Sequence, residues 1–354
     1  MSTQRHTSNA GQGRAGEAPL RILFVSNLFP DEKQSYRGLD NATVLHALEQ
    51  YHPCEVRVLS PRPSLPWRGE RAWRPRAVDA AWVPQYCRAL YVPRAGSWWN
   101  HHLMRLALAR PLRALRDSFA WDVLLASWLY PDGWAAAQWA KHYASPSVLI
   151  AQGSDVHGYL RVPARKRRIL EAAQASAGII TRSRSLATLL QEAGVAPAKL
   201  HPVWNGTDTT IFHPGDRTQA RAALGLPAEA VILLFVGNFL PVKDPLQLLR
   251  SFHRLCEMLP NKDLRLAMAG KGPLQPEAEH LATQLGVRSQ VVFTGPLAAP
   301  AVARWMQAAD VLCMSSRNEG LPNVIIEAQA CGLPVVSTDV GGISELISSP
   351  QKGA

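Results

Sequence analysis

The chain has 354 residues and 47% apolar content, more than one average domain needs, so two domains with separate cores are expected. Its five cysteines (Cys54, Cys87, Cys256, Cys313 and Cys331) are odd in number, far apart and without a C-x-x-C pair. That pattern excludes a disulfide scaffold or a zinc ribbon and fits a reducing cytosol. The net charge of +11 lies wholly in the first part: residues 1–210 hold 26 Lys and Arg against 15 Asp and Glu, and residues 211–354 hold 12 of each.

In chain order, residues 1–19 are polar and small and lack an apolar h-region, which reads as a disordered tail rather than a signal peptide. No apolar run approaches the roughly eighteen residues that span a bilayer, so a cytoplasmic protein is expected, soluble or peripheral on the inner face of the membrane. Strands are predicted at Arg21–Ser26, Glu55–Ser60, Asp122–Ala126, Ser147–Ala151, Gly178–Thr181 and Leu200–Val203. Helices fit Asp40–Tyr51, Trp99–Asp117, Asp132–His142, Pro163–Ala175 and Ser183–Ala193. Between Arg62 and Arg116 eleven arginines face two acids, Glu70 and Asp79, with Trp67, Trp73, Trp82, Trp98 and Trp99 interleaved. Arginine with tryptophan is the composition of a membrane–water interface carrying anionic lipid, although a solvated arginine-rich loop has the same composition. No helix-turn-helix, RRM or zinc-finger pattern accompanies it, so nucleic acid is not expected as a partner.

A Gly/Pro/Asp/Thr-rich connector, Asn205–Asp216, separates the two series, giving a first domain over 20–208 and a second over 209–354. The second series has strands at Val231–Val236, Leu264–Ala269, Val291–Thr294, Val311–Met314 and Val335–Ser337. Its helices fall at Pro245–Met258, Pro276–Leu285, Pro300–Ala308, Asn323–Cys331 and Ile343–Ile347. Alternating βα units predict an α/β class, two facing Rossmann-like domains with a cleft between them and ligands at the carboxyl ends of the strands. No G-x-G-x-x-G follows the first strand, which disfavours a dinucleotide dehydrogenase.

Val311 to Ile347 carries the densest chemistry. Glu319 stands in a strand–helix loop and Glu327 about two turns into the helix, with Gly320-Leu321-Pro322-Asn323 between them. Pro322 suits the first helical turn, and the free amides there favour an anion. Carboxylates for hydroxyls beside amides for phosphate suit a nucleotide-sugar, whereas an ordinary βαβ turn with solvated glutamates has the same spacing.

These residues resemble the donor-site signature of retaining, GT-B-fold glycosyltransferases of family 4, the group of sugar transferases that build lipopolysaccharide, capsule, exopolysaccharide and teichuronic acid. The resemblance extends to Ala151-Gln152-Gly153-Ser154-Asp155, to Asn205-Gly206-Thr207-Asp208 with Phe212-His213-Pro214, to Val236-Gly237-Asn238-Phe239 with Lys243, to Gly270-Lys271-Gly272-Pro273 and to Ala330-Cys331-Gly332-Leu333-Pro334 through Gly341-Gly342. It implies an acceptor domain followed by a nucleoside-diphosphate-sugar domain, with Glu327 on the ribose, Glu319 on the donor sugar and backbone N–H groups near Leu321–Asn323 on the diphosphate. Lys243 would neutralise phosphate charge. Asn238 replaces the family's usual arginine, and Arg317 is a candidate substitute. Gly272 would lie near the base or ribose, and Arg37-Gly38 near the diphosphate.

Asp132 could cap a helix, line the acceptor cleft or act as base, and Asp155 with His157 sits at another strand end. No acidic pair suggests a metal, and no cofactor is expected besides the donor. Relatives run on for tens of residues, so the chain reads as shortened at its C-terminus. The expected reaction is transfer of a sugar to a lipid-linked or polysaccharide acceptor. A catalytically impaired nucleotide-sugar-binding remnant and a nucleotide-sugar 2-epimerase are the alternatives.

Overall fold

The computed structural model describes residues 18–34, 37–65, 72–93, 96 and 98–347. The chain divides into two units: one runs to Thr181 and includes Ala187–Pro202, and the other comprises Arg182–Leu186 and the chain from Val203 on. The division after Pro202 precedes the predicted connector by a few residues. Arg182–Leu186 joins the second unit, where Glu345 accepts hydrogen bonds from the Arg184 and Ser185 amides (2.9 and 2.8 Å).

The first unit contains β1 (Leu20–Val25), α1 (Leu39–Tyr51), β2 (Cys54–Ser64), β3 (Gln85–Leu90), α2 (Asn100–Ser118), β4 (Val123–Ser127), α3 (Trp134–His142), β5 (Ser147–Ala151), α4 (Ser154–His157), α5 (Pro163–Ala175), β6 (Gly178–Thr181), most of α6 (Arg184–Glu192) and β7 (Leu200–Pro202). The sheet is parallel, in the order β3-β2-β1-β4-β5-β6-β7. β1 is buried from Ile22 to Val25 and reads as a continuous apolar run, because helices cover both faces of a parallel sheet.

The arginine-rich stretch differs most from expectation. It is not one solvated loop: Pro61–Ser64 extends β2, and Gln85–Leu90 is a strand that the sequence reading missed. β2 pairs with β1 through Cys54–Leu59 and with β3 through Leu59–Ser64, so Pro61 and Pro63 fall where only one neighbour needs pairing. Arg62 is buried (3% exposed), where it donates to Phe29 O and Asp31 Oδ2 (2.6 and 2.9 Å) and lies over the Tyr86 ring. Trp82 belongs to the core, edge-on to Phe29, and its indole N–H donates to Glu49. Trp98 and Trp99 are exposed, and Trp67 and Glu70 lie outside the described residues. On α2 the stripe His101, Met104, Leu108, Leu112 and Leu115 is buried at helical spacing, leaving Arg105, Leu106, Arg110 and Arg113 outside.

The second unit contains α7 (Arg217–Leu224), β8 (Val231–Val236), α8 (Pro245–Met258), β9 (Leu264–Ala269), α9 (Gln275–Gln284), β10 (Val291–Gly295), α10 (Ala299–Ala308), β11 (Val311–Met314), α11 (Asn323–Ala330), β12 (Val335–Ser337) and α12 (Ile343–Leu346). Its parallel sheet runs β10-β9-β8-β11-β12. Ile232, Leu234 and Leu312 enter one core, while Leu233, Phe235 and Cys313 enter the other, the period-two alternation of strands buried on both faces. α7 was not predicted, although its signals are present. Asp216 Oδ1 accepts from Gln219 N at 2.9 Å, and Gly225 ends the helix at φ 65°. No helix among the described residues is long and apolar enough to cross a membrane.

Candidate functional site

In the second unit the loops at the carboxyl ends of β8, β9, β11 and β12 are fastened backbone to backbone. A Cβ at Gly270 (φ +141°) would stand 1.9 Å from Gly237 O, and one at Gly272 would stand 2.5 Å from Phe239 O. These glycines therefore let the β9 loop lie on the β8 loop, and Phe239 N donates to Lys271 O while Leu274 N donates to Phe239 O. Gly341 and Gly342 do the same beneath the glutamate loop: Cβ atoms there would stand 1.8 Å from Glu319 O and 2.2 Å from Gly320 O.

Glu319 is nearly buried (8% exposed). Its Oε1 accepts from Lys243 Nζ and from Ser316 Oγ, both at 2.6 Å. Ser316 is fixed in turn through its carbonyl, which accepts from Thr338 Oγ1 at 2.6 Å. The reading from sequence found Lys243 and Glu319 but neither Ser316, Thr338 nor the glycine pair as supports. Ser-x-x-Glu after a strand and a Gly-Gly step were the available signals. Asn238 is exposed in the β8 loop and Lys243 half-buried. Arg317 is 71% exposed and its Nε pairs with Asp244 Oδ2 (2.7 Å), so it serves the N-cap of α8 rather than standing in for the missing arginine.

Pro322 does not occupy the first helical position as expected. It is the residue before it (φ −76°, ψ 111°) and provides no side-chain cap for α11, so the Asn323 and Val324 amides are left without intrahelical acceptors. Asn323 is held through its Oδ1 by Asn205 Nδ2 at 2.6 Å. Gly320 and Asn323 are half-buried, and Leu321 and Pro322 are buried. One turn on, Glu327 has no hydrogen-bond or ion-pair partner among the described residues, and burial pushes its carboxyl up to about 7. The unit thus presents an uncapped helix end, an unpartnered carboxyl group and an ammonium–carboxylate pair on neighbouring loops. This chemistry can take anionic oxygens and hydroxyls together.

The carboxylates of the first unit are disposed otherwise. Asp132 is fully buried and accepts from Asn27 N (2.6 Å) and Asn27 Nδ2 (2.7 Å), tying the turn after β4 to the loop after β1. It is not the expected cap of α3, whose preceding residue, Gly133, makes no side-chain cap bond. Burial, partly offset by Asn27, pushes its carboxyl up to about 7. Arg37 Nε and Nη2 donate to Asn27 O and Oδ1, both at 3.0 Å. Asp155, also fully buried, accepts from the amides of Leu129 (2.9 Å), Gln152 (3.0 Å) and Gly153 (2.8 Å). Gly38 (φ +61°) is required by packing: a Cβ would stand 2.2 Å from Leu28 O. Gln152, part of the Ala151–Asp155 segment, donates through Nε2 to Asn41 Oδ1 (2.9 Å) and Ser127 Oγ (2.8 Å), two residues not singled out from sequence. Among the described residues no group of three or more His, Cys, Asp and Glu is placed to hold a metal ion.

Residues 42–211 match the family model "Glycosyltransferase Family 4", and residues 216–354 match "Glycosyl transferases group 1". The D-inositol 3-phosphate glycosyltransferase of Kribbella flavida is 40% identical over 167 residues, 45% of this chain and 39% of that protein. The enzyme of the same name from Rhodococcus erythropolis is 30% identical over 248 residues, 68% of this chain and 55% of that protein. The chain thus spans about half the length of the relatives it matches. These relatives are named for inositol 3-phosphate and not for the teichuronic acid that the sequence resemblance included. Among solved structures, sucrose-phosphate synthase from Thermosynechococcus elongatus aligns with a TM-score of 0.71 at 19% identity, covering 93% of this chain and 83% of that one. HepE from Anabaena, solved with UDP and glucose, aligns with a TM-score of 0.69 at 19% identity, covering 92% and 83%. With one model on each half and two parallel-sheet α/β units, the chain carries a glycosyltransferase family 4 domain followed by a glycosyl transferases group 1 domain, on the GT-B fold.

Proposed function

We propose that the protein is a retaining glycosyltransferase that moves a sugar from a nucleoside-diphosphate sugar, held by the second unit, to the hydroxyl of an acceptor held by the first. The observation carrying this reading is the Lys243–Glu319 pair beside the uncapped N-terminus of α11 and the unpartnered Glu327. In this reading the backbone amides of Gly320, Leu321 and Asn323 and the ammonium of Lys243 take the diphosphate, whose charge grows as the glycosidic bond breaks. Glu327 accepts from the ribose and Glu319 from the donor sugar. Gly272 and Asn238 shape the base side, and the donor needs no further cofactor. Asp132 and Asp155 act by holding loops, since backbone and Asn27 donors occupy their oxygens.

The acceptor in this reading is a phosphate-bearing polyol, the class that the relatives' names specify. A lipid-linked glycan at an anionic membrane surface is a second reading, favoured by exposed Trp98, Trp99 and Leu106 beside Arg105, Arg110 and Arg113. The test is release of nucleoside diphosphate from a panel of UDP- and GDP-sugars, with inositol 3-phosphate or membrane extract as acceptor. Acceptor-dependent release that disappears in Glu327→Ala is the expected result, and the productive acceptor decides between the two classes. Folded protein that neither turns over nor binds a nucleoside diphosphate would overturn the assignment.

A further inference from the structure

In the second unit the loop that carries Glu319 and Gly320 rests on a turn, Gly341-Gly342, that opens α12. Gly342 is buried, and a Cβ on it would stand 2.2 Å from Gly320 O and 2.9 Å from the Ser183 Cβ. The turn is therefore gripped from two sides, by the glutamate loop and by Ser183, which is itself fully buried. Ile343 and Leu346 of α12 enter the same core as Leu321 and Ile325. Gln329 Nε2 of α11 donates to Leu346 O at 3.1 Å, so α12 is also tied to the helix that carries Glu327.

A helix of four residues has no stability of its own, and α12 keeps its place through what surrounds it. Besides the apolar contacts of Ile343 and Leu346, it is held by Glu345. Its Oε2 accepts from Arg184 N and Trp204 Nε1, both at 2.9 Å, and its Oε1 accepts from Ser185 N at 2.8 Å. Arg184 and Ser185 open α6, and the next amide of that turn, Leu186 N, donates to Ser183 Oγ at 3.2 Å. The carboxylate thus caps α6 from outside, where the positive end of a helix favours an anion. Three N–H donors converge on one carboxylate, and bonds of this charge-assisted kind are roughly twice as strong as neutral ones.

We propose that Glu345 is a positioning residue for the donor site. By anchoring α12 to Ser183–Ser185, it keeps Gly341-Gly342 against the carbonyls of Glu319 and Gly320, and so fixes the loop amides of Gly320 and Leu321 before a ligand arrives. Glu345 touches no ligand in this arrangement and acts through the turn. The proposal rests on the reading that this loop takes the diphosphate of a nucleotide-sugar. Coupling of this kind is reciprocal: if the Glu345 bonds favour the liganded loop by some factor, the ligand strengthens those bonds by the same factor.

The test measures hydrogen exchange at the single amides of Arg184 and Ser185 in the whole chain, with and without saturating UDP, and again with GDP. The expected result is exchange slowed at least about fivefold at both amides by whichever nucleotide binds, and a dissociation constant raised by a similar factor in Glu345→Gln. A glutamine there keeps one acceptor oxygen but turns its own N–H toward a backbone N–H. Its fold is checked by circular dichroism, and in turnover the KM for the nucleotide-sugar should rise with kcat held within about twofold. A lowered denaturant midpoint with unchanged affinity would mean that Glu345 only stabilises α6, which overturns the proposal. Nucleotide binding that leaves exchange at Arg184 and Ser185 unaltered also overturns it, a result that needs only the wild-type chain and leaves the donor-side reading standing. Folded wild-type protein that binds neither nucleotide removes that reading, and this proposal with it.

Discussion

Asp155, in the turn after β5, accepts from three backbone amides, whereas Glu327, one turn into α11, accepts from none. Asp155 is fully buried and Glu327 half-buried, each on a helix that follows a parallel strand, and burial raises the pKa of both. The difference lies in who supplies the donors. The first unit uses its acids to hold its own loops, and Asp132 does so through Asn27. The second unit leaves Glu327 open and neutralises Glu319 with a lysine that a ligand can recruit. Position at a strand end is thus insufficient to mark an acid as a ligand contact. The occupancy of its lone pairs separates the two roles.

The largest expected effect tests the structural side of this contrast. Asp155→Ala leaves three amides, two of them buried, without acceptors and should cost about 3–5 kcal/mol, read as a fall in the denaturant midpoint at constant m. A loss under 1 kcal/mol by the same measure would mean that the loop repacks and that the amides were never dependent on Asp155. Next comes Glu327→Ala, expected to lower turnover about a hundredfold or more while leaving the midpoint unchanged or higher at pH 8, because a poorly solvated charge is removed. Unaltered kcat/KM would place Glu327 with Asp155 as a structural acid.

The pH dependence separates them further. Glu327 titrates near 7 when folded, against 4.5 as its ordinary value, so between those values the folded state holds more protons than the unfolded one. Stability therefore falls as pH rises through this window, by on the order of 2–3 kcal/mol for this group, and Glu327→Gln should flatten the slope. Asp132, raised to about 7 from 3.8, adds a slope of the same sign that Glu327→Gln does not remove. Lys243→Met should weaken nucleoside-diphosphate binding about ten- to a hundredfold, measured by calorimetry, since it also strands Glu319 without a counter-charge. At the small end, Arg317→Ala breaks an exposed pair with Asp244 and should change stability by less than about 0.5 kcal/mol and donor affinity hardly at all.

Much of the second unit was legible because its strands are short apolar runs closed by Gly, as at Gly237 and Gly270, or by small polar residues, as at Asp310 and Ser315. Val231–Val236, Leu264–Ala269 and Val311–Met314 were placed residue for residue. The first unit was less so between Arg62 and Leu90. An edge strand that reads Gln-Tyr-Cys-Arg-Ala-Leu has no clean alternation, and an arginine inside a sheet gives no sign that Asp31 will neutralise it. The α7 helix was missed although Asp216 and Gly225 frame it, because eight residues with few large apolar side chains give only about two turns in which a period can show.

The sequence by itself determined the alternation of strands and helices, hence two parallel-sheet units, and it marked Lys243, Glu319 and Glu327 by their ordered motifs. Only tertiary structure decided which acids are open. Lone-pair occupancy depends on residues distant in the chain: Asn27 for Asp132, Leu129 for Asp155 and Lys243 for Glu319. Spacing along a chain specifies which side chains a helix or strand places side by side. Hydrogen bonds that satisfy a buried group come from whichever loop the fold brings within about 3 Å, and no local pattern encodes that distance.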